Sequence, residues 1–184
     1  MSKLKLVLKK ILPEWMYISI SIVKDFFFDR KALESYSQQG EDIILKRIFE
    51  RKKFGFYVDV GAYQPKKLSN TYFFYERGWR GINVDAMPYS MICFKIIRPR
   101  DINLEVPISS NNQTLTYYVF NQPAFNGFLK ELSIENSSPD GYKLINEIEM
   151  KTHTLKEVLE KHLPRNQQID FMSVDVEGFD YETL

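Results

Sequence analysis

The chain has one cysteine, two histidines and no clean apolar run of bilayer-spanning length, and each shortage excludes something. A single cysteine, Cys93, rules out an internal disulfide framework and a multi-cysteine metal site, which makes a reducing cytoplasm the simplest setting. Its place in an apolar helical run predicts a small core residue. A net charge of +1 over 184 residues leaves no global field to recruit nucleic acid. Of the histidines, His162 is expected on a solvated helix face. His153, between Thr152 and Thr154, is expected as a polar residue at a helix start rather than as a base. No repeat and no low-complexity segment interrupts the chain. What is present is ordinary for one globular domain: 44% apolar and 27% charged residues.

Residues 1–34 differ from the rest. Lys3, Lys5, Lys9 and Lys10 precede any acid and alternate with Leu4, Leu6, Val7, Leu8, Ile11 and Leu12. Trp15 to Phe28 is strongly apolar but carries Lys24 and Asp25, and Pro13 and Glu14 separate the two parts. No stretch of ~20 apolar residues results, and no small-residue cleavage site follows. A basic amphipathic helix of this kind can lie on an anionic membrane face, as a peripheral contact at its inner side. The equal alternative is an N-terminal helical layer packed on the domain.

Three short apolar runs then end in acids: Phe56 to Val60 with Asp59 before Gly61 and Ala62, Gly81 to Asp85, and Ile169 to Asp175 with Glu177 beyond it. Such runs read as buried parallel strands, and ligands of open α/β sheets bind outside the carboxyl ends of the strands. Helices are expected from Gln39 to about Lys52 (Ile43, Ile44, Ile48 and Phe49 on one side, Ser37 near the start), from Ser69 to Arg77 with Gly78 as cap, from Pro88 to about Ile97, and from Thr154 to His162. Tyr72, Phe73, Phe74 and Tyr75 are expected mostly in the core. Asn103 to Ile108 reads as a third strand, with Leu115 to Phe120 paired back antiparallel across the Ser109–Asn112 turn. From Asn121 to Gly141, breakers predict an irregular, substrate-facing loop.

Three acidic strand ends suit a ligand with hydroxyls and positive charge, a description that S-adenosylmethionine fits. Gly61 and Ala62 allow close backbone approach. Asp85 lies about as far beyond them as the ribose acid of dinucleotide folds, which stands ~20 residues on. The three-glycine turn that seats a pyrophosphate is missing, which disfavours a nicotinamide oxidoreductase. The acids also have plain structural readings: Asp59 as a loop cap, Asp85 as a helix cap, and Asp175 with Glu177 as a pair that two carboxylates alone do not make a metal site.

Ser37–Asp42, Val58–Ala62, Ser69–Asn70–Thr71 with Gly78–Gly81, Arg98–Pro99 with Asp101, and Asp170–Phe171 with Ser173–Gly178 form an ordered set that closely resembles the FkbM family of methyltransferases. The resemblance implies an α/β, Rossmann-like class I methyltransferase fold over residues 35–184, mostly parallel with helices on both faces, and S-adenosylmethionine as cofactor. It implies O-methylation of a sugar or natural product, with a sugar or glycan acceptor in surface-polysaccharide biosynthesis. It sets Asp59, Gly61, Ala62 and Asp85 at the donor, Asp175 and Glu177 at its methionine end and the acceptor as catalytic candidates, and Arg98 and Asp101 beside the adenine. Glu41 and Asn70 fall on motif positions without an assigned role and are grouped with the donor residues; no metal ligand is assigned. The family's fold has seven strands, so the expectation is that the last three are missing here, leaving an open strand edge prone to self-association.

Overall fold

The computed structural model describes residues 35–121, 123–128 and 143–176. The chain divides into two compact units, residues 1–34 and 35–184. The first, with its basic segment, lies outside the described residues, as do most of the expected 121–141 loop, Glu177 and everything after it.

Four parallel strands make the central sheet. In chain order they are β1 (Phe56–Val60), β2 (Arg80–Asp85), β3 (Ile102–Glu105) and, far later, Phe171–Val174. The spatial order is β3-β2-β1 and then Phe171–Val174 on the other side of β1. The chain thus winds outward from β1 in one direction, returns, and continues in the other, which opens a crevice at the carboxyl ends on either side of β1.

Every residue of β1 is buried, as expected for a strand covered on both faces. Phe56, Val58 and Val60 join Ile82, Val84, Leu155 and Val158 in one core. Tyr57 faces the opposite core with Phe73, Phe74, Tyr75 and Trp79. The period of two along the strand sorts these sets. Helices α1 (Glu41–Ile48) and α2 (Tyr72–Glu76) lie toward the aromatic core, where Leu45, Phe49 and Tyr72 pack. Gly81 keeps β2 flat under the Tyr57 ring, since a Cβ there would run into it. Burying side chains as large as Trp79 and Phe74 stabilises the fold by roughly 1.5–3 kcal/mol each.

The expected helices form, with trimmed ends. The hydroxyl of Ser37 accepts from the Gly40 and Asp42 amides and so closes the start of α1. Ile44 and Ile48, expected on its apolar side, are instead exposed, because Leu45 and Phe49 turn inward and Asp42 is buried among Ser35, Tyr36 and Ser37. Helix α3 (Ser90–Ile97) buries Met91 and Phe94. Cys93, expected in the core, is exposed on it, since the two residues before Phe94 fall outside its buried stripe.

The largest departure concerns the segment after β3. The strand β4 (Thr114–Phe120) does not pair back on β3, which among the described residues pairs with β2; it pairs antiparallel with β5 (Leu144–Lys151) in a separate two-stranded ribbon. β5 was not expected at all. Its Ile148 and Met150 are half-buried while Glu147, Glu149 and Lys151 are exposed, a period of two that becomes legible once a partner strand is present. A register shift between Val119 and Phe120 lets both Tyr117 and Phe120 be buried although three positions apart. Mutual hydrogen bonds hold the base of the ribbon: Ser109 to the His153 carbonyl, His153 to Pro107, and Thr152 to Gln113. Helix α4 (Leu155–His162) follows, its first turn closed by Thr154 and Glu157 in a reciprocal cap. His153 stands just before it, 4.0 Å from Glu157, as a residue of the helix start. The returning central strand, Phe171–Val174, is named β6.

Candidate active site

At the carboxyl end of β1 the backbone turns on Gly61, whose φ of 78° lies in the left-handed region. The Gly61 and Ala62 amides both donate to the Val84 carbonyl at the end of β2, at 2.9 and 3.1 Å. On the other side the turn is pressed against the next loop, and a Cβ on Gly61 would collide with the Asp175 carbonyl oxygen. Glycine is required here by both conformation and space. The turn is therefore clamped between the ends of β2 and β6.

Around it lies a cavity of about 130 Å³. Gly61, Asp85, Ala86, Met87, Asp175 and Val176 line it, with Gln38, Tyr63 and Leu68, with Tyr117 of the ribbon, and with Pro123, Asn126, Gly127 and Phe128 of the segment after β4. An adjoining groove of about 700 Å³ shares Tyr63, Met87 and Pro123 with it. Among the described residues four non-glycines have positive φ, and three of them, Tyr63, Leu68 and Tyr89, border the cavity or this groove. Backbone conformations that cost energy collect at ligand-facing positions when the surroundings hold them there.

Asp85 is a cavity acid held through both carboxylate oxygens. One carboxylate oxygen accepts the Tyr63 amide at 2.8 Å and the other the Met87 amide at 2.7 Å. Burial pushes its carboxyl above the ordinary range, opposed by those two amides. A carboxylate offers about four acceptor positions, so these bonds fix its orientation without using its capacity. Asp175 lies across the cavity, exposed, with its amide bonded to the Val60 carbonyl at 2.9 Å.

The remaining candidates are elsewhere. Asp59 does not line the cavity: it is 5% exposed and accepts the Thr71 hydroxyl at 2.5 Å on the aromatic face of β1. Burial pushes its carboxyl up, against the pull of Arg98 and of Thr71. Asp101, expected beside an adenine, is instead part of a closed cluster under the sheet. Its carboxylate accepts Arg98 Nε at 2.9 Å, the Tyr57 hydroxyl at 2.7 Å, the Gly81 amide at 3.0 Å and Asn83 at 3.1 Å. Arg98, with no exposed surface, also donates to Tyr57, Thr71 and Ser69. The physical reason is charge pairing: a buried guanidinium needs carboxylates around it, and Asp101 is three residues away. Asn70 donates to the Ser173 hydroxyl at 2.9 Å, linking the α2 loop to β6. Glu41 sits in the first turn of α1 and accepts the Gln39 amide; burial pushes its carboxyl up, but the backbone bonds prevail and hold it below the usual range. The structure thus brings Gly61, Asp85 and Asp175 to one cavity, with Ala62 buried behind them, and leaves Asp59, Asn70, Asp101 and Glu41 outside its lining. Glu177 lies beyond the described residues. Among the described residues no group of three or more acids, histidines or cysteines is arranged to hold a metal ion.

Residues 59–184, more than half of the chain, match the methyltransferase FkbM domain. The chain belongs to the FkbM methyltransferase family. In this FkbM protein the match begins at Asp59 and takes in the Gly61 turn, β2, the ribbon and β6. No curated protein and no solved structure gives a significant match. The cavity residues that the sequence did not single out include Tyr63, which supplies an amide to Asp85, and Tyr117 of the ribbon, whereas Asn126 and Phe128 lie in the 121–141 segment expected to face a substrate. Nothing in the local sequence marks Tyr117, because it is the pairing of β4 with β5 that brings the ribbon beside the cavity. Among the described residues no helix is long and apolar enough to cross a membrane.

Proposed function

We propose that this protein is an S-adenosylmethionine-dependent O-methyltransferase with a Rossmann-like fold, acting on a hydroxyl of a sugar or glycan in the assembly of a surface polysaccharide. The observation that carries the donor reading is the clamped Gly61 turn, at the point where the strand order reverses, beside an Asp85 at the end of β2 whose orientation is fixed by two amides. The residues present fit such a donor. The bare backbone at Gly61 admits a close ligand, and Asp85 keeps acceptor capacity for a diol. When bound, the sulfonium donor supplies an electrophilic methyl group.

The chain's task is then proximity and orientation. Gly61 and Ala62 shape the turn on which the donor rests, and Asp85 accepts from the ribose hydroxyls. Asp175, at the end of β6, faces the cavity, where it orients the donor's ammonium or takes the proton that a hydroxyl acceptor must lose. Glu177 shares that task. Tyr117 of the ribbon and Phe128 of the segment after β4 bring aromatic surface, suited to the apolar faces of a sugar ring.

Calorimetric titration with S-adenosylhomocysteine and, separately, with NAD tests the donor. Binding of the first and not the second is expected; NAD binding alone would refute the reading. Mass-detected methyl transfer to glycosides, compared with amines of similar size, tests the acceptor class, and transfer confined to the amines would refute the hydroxyl assignment.

A further inference from the structure

Tyr117 is 5% exposed, lies in β4 opposite Ile148 and forms part of the cavity wall. Its ring meets Phe128 edge-on, with centroids 5.1 Å apart at 70°. A buried tyrosine normally finds a partner for its hydroxyl. Tyr57, in the aromatic core, does so twice, through Asp101 and Arg98. Among the described residues the Tyr117 hydroxyl has no hydrogen-bond partner. Nor is it sealed away, since the unpartnered polar side-chain atoms that are sealed, among the described residues, are Asn83 Oδ1 and Ser90 Oγ. What little of Tyr117 is open therefore includes the phenol oxygen, and Tyr117 lines the cavity.

Asp85 is the acid close enough for its charge to act on this phenol. Burial, and then that charge, push the phenol upward from its ordinary value, so it stays protonated at any working pH and acts as a donor. A carboxylate with spare acceptor capacity and a neutral phenol with an unused proton thus face one space. A vicinal diol complements that pair: one hydroxyl donates to the carboxylate while an oxygen of the diol accepts from the phenol.

We propose that Tyr117 is a ligand-binding residue of the donor site, donating a hydrogen bond to the ribose diol that Asp85 accepts from. This rests on the donor reading above, with the ribbon supplying one wall of the ribose site. β4 and β5 then do more than shape the acceptor side, because donor affinity depends on their staying paired.

The test is calorimetry on the full chain with S-adenosylhomocysteine and its 2′-deoxy and 3′-deoxy analogues, for the unaltered protein and for Tyr117→Phe. Phenylalanine keeps the edge contact with Phe128 and removes only an unpartnered hydroxyl, so the ligand-free melting temperature is expected to hold or rise. Affinity for S-adenosylhomocysteine is expected to fall about 5–10-fold, the size of one hydrogen bond. For one of the deoxy analogues the two proteins should bind alike, because the hydroxyl that Tyr117 contacts is gone. Equal affinity of both proteins for S-adenosylhomocysteine overturns the proposal, as does a loss that persists undiminished with both analogues. A variant that unfolds shows a structural hydroxyl and overturns it too. Failure of the unaltered protein to bind S-adenosylhomocysteine refutes the donor reading itself, before any variant is compared.

Discussion

Two groups of buried polar side chains meet the sheet at β1 and β2, and they are built on opposite principles. Beneath the sheet, Arg98, Asp101, Tyr57, Asn83, Thr71 and Asp59 answer one another. At the carboxyl ends, Asp85 and Tyr117 are held in place but keep hydrogen-bonding capacity that faces a cavity. A charge removed from water is tolerable only with partners, so a cluster whose buried charges are paired with one another is spent on the fold. Unspent capacity that is rigidly oriented is what a binding site needs. Asp101 and Asp85 look alike as acids beside a strand, and this difference separates them.

The sharpest way to break that contrast is Arg98→Ala. It leaves Asp101 and Asp59 buried without their cation, and loss of one partner of a buried pair costs about 3–5 kcal/mol. A large fall in the chemical-denaturation midpoint is expected; a variant as stable as the parent would show that the cluster is not structural. Gly61→Ala comes next. It forces a side chain into a left-handed backbone, at a cost of roughly 1–3 kcal/mol, and against the Asp175 carbonyl. Binding of S-adenosylhomocysteine should be lost before the fold is, as read by calorimetry beside a melting curve.

Asp85→Asn belongs to the other side of the comparison. It keeps an oxygen for one backbone amide but removes the charge, and hydrogen bonds to charged groups are worth ~1.5–3 kcal/mol, so donor affinity should fall tenfold or more. Its effect on stability should be well below that of Arg98→Ala. A reversed order, with Asp85→Asn unfolding the protein and leaving affinity intact, would erase the distinction. Asp59→Asn should weaken binding less than Asp85→Asn, because Asp59 meets Thr71 rather than the cavity.

The raised carboxyls of Asp85 and Asp59 give the smallest effect and a sign that can be checked. A folded acid whose pKa lies above its unfolded value binds more protons when folded, so ligand-free stability falls as pH rises from the ordinary carboxylate range through the raised one. Donor binding needs the ionised Asp85 and should change the other way, weakening as pH falls through that same window. Melting curves and calorimetry across that range, with and without Asp85→Asn, separate the two trends.

The sequence by itself determined the parallel strands, their acidic ends, the Gly61 turn and the capped α4 helix. Each of these is written in neighbouring residues: a run buried on both faces, a glycine where φ must be positive, a threonine and a glutamate three apart. Tertiary structure decided what local pattern cannot hold. β5 is recognisable only against β4, because alternation over so few residues acquires meaning from a partner strand. Asp101 and Asp85 parted company because burial, charge pairing with Arg98 and the reach of two backbone amides are set by contacts between distant elements. Tyr117 became a candidate only when the ribbon brought its phenol to the cavity. A hydrogen bond left unmade is a property of three-dimensional surroundings, and no single stretch of chain encodes it.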